Sequence, residues 1–257
     1  MARIHFFELM DQSWFPTIFR DYMTDYLEFV TDKFDLYKNI QPTLEEGLAK
    51  AEKRQIVDIG SGGGGGMVKI CERFRENNAP VDVLLTDFYP NVKAFEKVSA
   101  TDEHLSFHKE SVDARNVPNS LKGLRTMFLA FHHFKPKDAT QILKNAVDTK
   151  QPFVSFEMYQ VTVKDIIGPI LAPLFVLFLT PFIRPFRLGR IIFTYLIPII
   201  PLVIMFDGIV SVLRSYSPKE LKTLLKDADP NNEFDWDIGQ IPAGGGATIH
   251  YILGTPK

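Results

Sequence analysis

Residues Gln55–Met67 read Gln-Ile-Val-Asp-Ile-Gly-Ser-Gly-Gly-Gly-Gly-Gly-Met, and this stretch decides the fold. The apolar residues on either side of Asp58 predict a buried strand, and the mixed apolar and charged residues after Met67 predict a helix. Glycines let the backbone turn tightly and approach a ligand with no Cβ in the way. The free N–H groups at the start of the helix favour a polar or anionic ligand. The stretch therefore predicts the front end of a βαβ unit.

Two ligand families use such a loop. Gly60, Gly62 and Gly65 satisfy the dinucleotide pattern G-x-G-x-x-G. Asp58, Gly60, Gly62 and Gly64 satisfy the pattern acidic-x-G-x-G-x-G, which resembles the first motif of class I S-adenosylmethionine (SAM) methyltransferases. In that family the acid lies near the amino-acid end of SAM. A flexible glycine turn is the third interpretation. The residues downstream of the loop must distinguish a dinucleotide site, a SAM site and a simple turn.

Two further acids follow the next predicted strands. Asp87 ends the predicted strand 81–87, where an acid accepts hydrogen bonds from ribose hydroxyls in either cofactor family. The resemblance implies that Asp113, in the loop after the third strand, receives the adenine amino group, for which nicotinamide dehydrogenases have no comparable requirement. A helix-capping role for Asp87 and a solvated position for Asp113 remain open.

The fourth predicted strand, 126–134, runs into His132 and His133, and the fifth passes through Glu157. The resemblance implies that the end of the fourth strand faces the methyl group. These three side chains are the candidate catalytic residues, and histidine has the better unperturbed pKa for a general base at neutral pH. Adjacent histidines point apart and no third ligand is evident, so we expect no metal site.

Length and composition exclude several functions. The chain has 257 residues, a net charge of −2 and a pI near 6.3, so it has no overall basic field to attract nucleic acid. Cys71 is the only cysteine, which excludes an internal disulfide and a multi-cysteine metal site and fits a reducing compartment. The first residues carry charges and contain no apolar signal-peptide segment.

The N-terminal region, 1–52, is predicted to be helical and rich in aromatic residues. Apolar residues recur there at three- and four-residue spacing, which is typical of one helix face. Thr43 is the predicted N-cap of a second helix that ends near Lys50, with Glu46 completing a capping box. This region packs against the sheet, closes as a lid over cofactor and substrate, or does both.

An apolar insertion follows the fifth strand. Residues 166–183 contain no charge over 18 positions, and residues 191–206 contain none over 16. Each run is shorter than the ~20 apolar residues of a spanning helix, and several prolines argue against straight helices. A crossing hairpin would place the linker arginines, Arg184, Arg187 and Arg190, outside, against the positive-inside tendency. We therefore predict broken helices in one leaflet, with these arginines meeting lipid phosphates. An internal lid, a dimer interface and a two-helix transmembrane hairpin remain open.

The order of elements resembles the class I methyltransferase fold over 55–159 and 214–257. It predicts an α/β, Rossmann-like, mostly parallel seven-stranded sheet, and the strands 234–241 and 247–254 form its antiparallel C-terminal hairpin. A nicotinamide domain more often ends with another parallel strand. The predicted segments are a helical N-terminal cap (1–52), a SAM-binding core (53–160), an apolar membrane-associating insertion between strand five and the last helix (161–213), and a C-terminal helix and hairpin (214–257).

The resemblance implies a SAM-dependent methyltransferase. The insertion suggests that its methyl acceptor is an apolar or membrane-associated small molecule or lipid, and that the enzyme lies on the cytoplasmic side of a membrane. We expect no nucleic-acid partner, and the oligomeric state stays open. The alternatives are an NAD-type oxidoreductase of Rossmann fold, for which no Tyr-x-x-x-Lys pair is recognisable, and a SAM-binding membrane protein without catalytic activity.

Overall fold

The computed structural model describes residues 3–257, so residues 1 and 2 of the predicted N-terminal cap lie outside the described residues. The chain divides into two compact units. The core unit consists of Asp35–Met158 and Pro218–Lys257, and the helical unit consists of the residues up to Phe34 together with Tyr159–Ser217. The segment 35–52 thus belongs to the core unit, whereas the start of the chain is grouped with the insertion.

The core unit is built on one seven-stranded sheet, with the order β3-β2-β1-β4-β5-β7-β6. Its strands are β1 (Gln55–Ile59), β2 (Asp82–Thr86), β3 (Leu105–Phe107), β4 (Leu124–Phe128), β5 (Phe153–Glu157), β6 (Phe234–Pro242) and β7 (Thr248–Pro256). The first five strands are parallel, and β7 pairs antiparallel with both β5 and β6. The predicted mixed sheet with its C-terminal hairpin is confirmed.

Helices cover the sheet because each has one apolar face. They are α2 (Gln41–Ala49), α3 (Gly65–Glu76), α4 (Val92–Ser99), α5 (Pro136–Asp148) and α9 (Pro218–Ala228). Every residue of β1 is buried, as expected for a parallel strand with helices on both faces. Leu44 of α2, Phe74 of α3 and Phe95 of α4 belong to the same apolar cluster as Ile56.

Two local predictions in the core unit are wrong. Helix α2 begins at Gln41 with Pro42 in its first turn, so Thr43 is a buried residue within the helix and not its N-cap. The fourth strand ends at Phe128, and His132 and His133 lie in the following 3-10 helix Phe131–His133. The apolar run does not continue as a strand because Leu129 adopts a φ of 51°, which turns the backbone away from the sheet.

From residue 3 onward, the helical unit contains four α-helices around its own apolar core. They are α1 (Thr17–Lys33), α6 (Val163–Leu179), α7 (Leu188–Ile191) and α8 (Ile199–Arg214), with a π-helical turn at Ile192–Leu196. Met23 of α1, Val176 of α6 and Ile204 of α8 are members of one buried cluster. The expectation that prolines interrupt both apolar runs holds only for the second, because α6 continues through Pro169 and Pro173.

The prediction that three linker arginines face lipid phosphates is wrong for Arg190. Its side chain is 2% exposed and donates hydrogen bonds to the carboxylate of Asp25 on α1 and to the carbonyls of Ile183 and Pro185. Arg187 lies 3.3 Å from the same carboxylate. Asp25, the acid on α1 that pairs with both arginines, is 165 positions away from Arg190 in the chain.

Candidate active site

The glycine loop joins β1 to α3 at the carboxyl edge of the sheet. Gly60, Gly62 and Gly64 have φ values of 74°, 56° and 76°, a left-handed conformation that favours glycine. The N–H groups of Gly60 and Ser61 each donate to the carbonyl of Thr86 at 3.0 Å. The loop is therefore tied to the end of β2, beside the point where the strand order reverses between β1 and β4.

The glycines of this loop differ in what surrounds them. A Cβ on Gly64 would lie 2.7 Å from a methyl carbon of Leu85, so this glycine allows the loop to pack on the sheet. A Cβ on Gly62 would meet no atom within 4 Å. Gly62 thus borders open space in which a ligand can approach the backbone, and this is the geometry that a nucleotide-derived cofactor requires.

Asp58 lies at the end of β1 and is 3% exposed. Its Oδ1 accepts a hydrogen bond from the hydroxyl of Thr126 at 2.7 Å, and its carbonyl accepts hydrogen bonds from the hydroxyls of Thr86 and Ser61. Burial raises the pKa of Asp58 to about 6, although the hydroxyls of Ser61 and Thr126 act in the opposite direction. A buried carboxylate of this kind favours a cationic ligand group, which would repay part of its desolvation.

Asp87 directly follows β2 and contacts the glycine loop. Its Oδ2 accepts from the N–H of Gly62 at 2.9 Å, and its Oδ1 accepts from the N–H of Tyr89 at 2.8 Å. The predicted capping role belongs instead to Asn91, which accepts from the N–H of Ala94 at the start of α4. Because each carboxylate oxygen has more than one lone pair, Asp87 can still accept hydrogen bonds from ligand hydroxyls.

Asp113 lies close to this edge, because the N–H of Val112 donates to the carbonyl of Asp87 at 2.9 Å. The carboxylate of Asp113 caps the 3-10 helix Ala114–Asn116 and pairs with the guanidinium of Arg115 at 2.7 Å. Arg115 holds the pKa of Asp113 below its usual range. Arg115 was not predicted as a partner, although it follows Asp113 at acid-x-base spacing. The ion pair competes with the ligand contact predicted for Asp113.

His132, in the 3-10 helix after β4, and Glu157, at the end of β5, form a hydrogen-bonded pair. Glu157 Oε1 accepts from the N–H groups of Phe131 at 2.8 Å and His132 at 3.2 Å, and Glu157 Oε2 lies 2.7 Å from Nδ1 of His132. Because a carboxylate only accepts, Nδ1 carries the proton, and Nε2 is the ring nitrogen with the basic lone pair. The ring of His133 lies 4.3 Å from that of His132 between centroids, so the expectation that these adjacent histidines point apart is wrong.

Tyr37 is a residue of this region that the sequence analysis missed. It precedes α2, is buried, and contacts Phe128 at the end of β4 with 5.0 Å between ring centroids. Burial raises the pKa of Tyr37 above its usual range, and the negative charges of Glu157 and Asp58 raise it further. Its phenol therefore lies within the field of both acids, which no local pattern in the aromatic N-terminal region indicates.

The structure thus collects the predicted site residues along one edge of the sheet. The glycine loop contains Gly60, Gly62 and Gly64, and Gly64 packs against the sheet. Asp58 precedes this loop, and Asp87 accepts a hydrogen bond from its Gly62 N–H. The histidines lie in the 3-10 helix that follows β4, and Glu157 ends the neighbouring strand β5. An open glycine turn between a buried acid and an acid at the next strand end fits SAM, in which an amino-acid end and a ribose are joined through a sulfonium group.

No protein-family model and no curated protein sequence matches the chain. Solved structures do match over nearly its whole length. The plantazolicin methyltransferase BpumL in complex with SAH matches with a TM-score of 0.60 and 12% identity, over 97% of this chain and 95% of its own. An O-methyltransferase family 2 protein from Planctomyces limnophilus in complex with apigenin has a TM-score of 0.57 and 12% identity, over 93% and 62%. Human N-acetylserotonin methyltransferase in complex with SAM has a TM-score of 0.53 and 15% identity, over 95% and 59%.

These similarities concern the fold. At such identities the chain shares the class I methyltransferase architecture with the three solved proteins, and the predicted fold class is confirmed. The chain spans 59% of the length of the human enzyme and 62% of the Planctomyces protein. A shared fold does not determine the activity or the ligand, which depend on the residues of this chain.

Proposed function

We propose that this protein is a SAM-dependent methyltransferase whose acceptor is an apolar or membrane-associated small molecule or lipid. The observation that carries the proposal is the left-handed Gly62, which borders open space and is held by Asp87 next to the buried Asp58. The presence of SAM or SAH in structures of the same fold supports this choice of cofactor.

Each residue of the edge has a defined part in binding. Asp58 would balance the positively charged amino-acid end of SAM, and the loop at Gly60 and Gly62 would let that end approach the backbone. Asp87 would accept hydrogen bonds from the ribose hydroxyls, and the resemblance implies that the adenine would lie beside Asp113. Bound SAM supplies an electrophilic methyl group on a sulfonium sulfur.

His132 is the proposed general base. Its Nδ1–H is held by Glu157, so Nε2 is the nitrogen that takes the proton of an acceptor hydroxyl, amine or acidic carbon. Glu157 orients the ring and, through the N–H groups of Phe131 and His132, holds the turn that carries it. His133, whose ring lies beside that of His132, would orient the acceptor. Alignment of the reacting groups supplies much of the rate in a direct displacement.

The apolar acceptor is supported by the surface of the helical unit. Its exposed side chains include Leu174 and Phe178, which are 63% and 71% exposed, on a helix with no charge between Ile166 and Leu179. Such a surface favours lipids and other apolar molecules. With a cofactor made in the cytosol, the protein would lie on the cytoplasmic side of a membrane.

The test measures binding first and transfer second. SAM and S-adenosylhomocysteine should raise the unfolding temperature of the purified protein, whereas NADH should not, because a ligand of the native state adds stability. SAM labelled in its methyl group should then transfer the label to a component of a cellular lipid extract. His132→Gln should lower kcat by about 100-fold or more and leave the affinity for SAM unchanged. Stabilisation by NADH alone, or unchanged transfer by His132→Gln, contradicts the assignment.

A further inference from the structure

The outer face of α6 is apolar and uncovered. Six large side chains on it recur at three- and four-residue spacing, which places them on one side of the helix. They are Ile167, Ile170, Leu171, Leu174, Phe175 and Phe178, all exposed, whereas Pro169, Val176 and Leu179 face the buried cluster. We call these six residues the α6 stripe. A helix that is apolar all round needs a second apolar partner besides its own core.

Exposed apolar side chains are concentrated in the helical unit. Among residues 3–257, every exposed large hydrophobic side chain except Phe88 and Tyr89 belongs to that unit. They include Trp14 and Tyr195, whose rings are amphipathic and suit the boundary between lipid and water. Monomeric soluble proteins rarely expose contiguous apolar patches larger than a few hundred Å². The helical unit therefore has an apolar surface whose exposure to water is unfavourable.

We propose that the helical unit embeds the α6 stripe in one leaflet of a lipid bilayer, without crossing it. The stripe consists only of Ile, Leu and Phe, so it offers a partner no side-chain hydrogen bond along its length. Protein interfaces instead carry about one hydrogen bond per 100–200 Å² together with a polar rim. Lipid acyl chains can cover such a surface without hydrogen bonds and without a polar rim. This inference does not depend on methyl transfer.

The length of α6 alone would permit a deeper position. The helical stretch Val163–Phe182 has 20 residues and is apolar enough to cross a membrane, and the two helical segments Leu188–Leu196 and Ile199–Arg214 would form a second span only if their 75° bend were accommodated. The depth of the helical unit in the bilayer therefore depends on its charged groups.

Helix α1 limits the depth. Its Asp25 binds Arg187 and Arg190 in the connection between α6 and α8, so this connection cannot separate from α1. Helix α1 also exposes Asp21 and Glu28. If the connection crossed to the far side of a bilayer, these acids would have to enter the hydrocarbon, where charged side chains are costly.

Helix α8 is also unsuitable for crossing. Its apolar part, Ile199–Phe206, ends at Asp207, whose carboxylate accepts from the N–H groups of Leu9 at 2.7 Å and Met10 at 3.0 Å. Eight helical residues rise ~12 Å, less than half of the ~30 Å hydrocarbon thickness. A position within one leaflet satisfies both helices.

The experiment is flotation of the detergent-purified protein with phosphatidylcholine vesicles, with and without phosphatidylglycerol. Wild-type protein should float with both. The double variant Leu174→Glu, Phe178→Glu should bind at least about tenfold more weakly, because two charges would enter the acyl region. The matched control Gln141→Glu, Thr223→Glu adds the same charge at exposed positions of α5 and α9, and should float like the wild type. High salt should have only a small effect, because Arg190 is buried and Arg187 is paired with Asp25, which leaves Arg184 as the exposed arginine of this connection.

Several results would overturn the inference. One is a wild type that stays soluble without detergent and does not float. Another is a dimer that the stripe variant splits, which would assign the stripe to a second copy of the chain. Labelling of Arg184→Cys by an impermeant thiol reagent outside intact cells would show that the chain crosses the membrane. Stabilisation by SAM, measured on the same variants, reports the proposed cofactor site separately, so failure of one proposal is distinguishable from failure of the other.

Discussion

Replacing Asp58 by Asn should make the core unit more stable at neutral pH and remove part of its pH dependence. The carboxyl is buried, and its pKa rises from 3.8 to about 6. An acid with a raised pKa binds its proton more tightly in the folded state, so its effect on stability is most favourable below pH 4. Stability is then lost as pH rises from about 4 to 6, and the loss stays constant above that.

The size of this effect follows from the pKa difference. A shift of roughly two units corresponds to about 3 kcal/mol between the charged and neutral forms. Asparagine is neutral at every pH and keeps an oxygen that can accept from Thr126. The free energy of unfolding of Asp58→Asn should therefore exceed that of the parent by up to about 3 kcal/mol at pH 7.5, and the difference should vanish near pH 4.

The assay is urea unfolding at several pH values, followed by the fluorescence of Trp236 in the core unit. Trp14 of the helical unit is replaced by Phe in parent and variant, so that the signal reports one unit. Asp207, whose burial also raises its pKa to about 6, contributes equally to both proteins and cancels in the comparison. A difference independent of pH, or a loss of stability at pH 7.5, would refute the reasoning about burial. The variant should also lose affinity for SAM, so that it would gain stability and lose function.

Three other changes test the neighbouring contacts. Asp87→Asn should weaken SAM binding about 10- to 100-fold by calorimetry, as expected for hydrogen bonds of ~1.5–3 kcal/mol to a charged group, while Asp82→Asn, at the start of the same strand, should bind normally. Gly62→Val should fold with reduced stability but not bind SAM, because a branched residue is strained at a φ of 56°. The control is Gly66→Ala, because Gly66 borders open space and has no positive φ. Normal binding of SAM by Gly62→Val would exclude the loop as the cofactor site. Arg190→Gln should destabilise the helical unit by roughly 1–3 kcal/mol in chemical denaturation, because it breaks one of the two ion pairs of Asp25 and removes a donor to the buried carbonyls of Ile183 and Pro185. Arg184→Gln, at an exposed position, should change stability by less than about 0.5 kcal/mol.

The sheet could be predicted from the sequence because its signals are local. A buried apolar strand, a glycine run and an amphipathic helix lie within consecutive residues, and the acids Asp58 and Asp87 occupy the strand ends where parallel strands place ligands. Asp87 could not be assigned its contact with Gly62, because that hydrogen bond joins residues 25 positions apart. The same holds for Glu157, whose part in orienting His132 depends on the pairing of two strands.

Helix α6 continues through its prolines because of a contact with another helix, which local sequence patterns cannot predict. Pro169 removes a backbone donor, and the sequence alone predicts a break at that point. In the structure the ring of Pro169 packs against α8 at Gly208, where an added Cβ would lie 3.0 Å from the proline Cβ. The absence of a side chain at Gly208 makes room for the ring, so the contact between two helices preserves the helix that the proline alone would interrupt.

This course of α6 changes the reason for a shallow position in the membrane. Counting uncharged residues suggested that each apolar run is too short to cross, yet Val163–Phe182 is long enough. In the proposed arrangement the limit comes instead from Asp25, which binds Arg190 and so keeps the acidic helix α1 beside the connection that would have to cross. Apolar length determines how deeply a helix can enter a bilayer, whereas the ion pairs of the surrounding helices determine how deeply the folded unit enters. Breaking the pair at Asp25 should therefore affect the depth of the unit more than shortening the α6 stripe would.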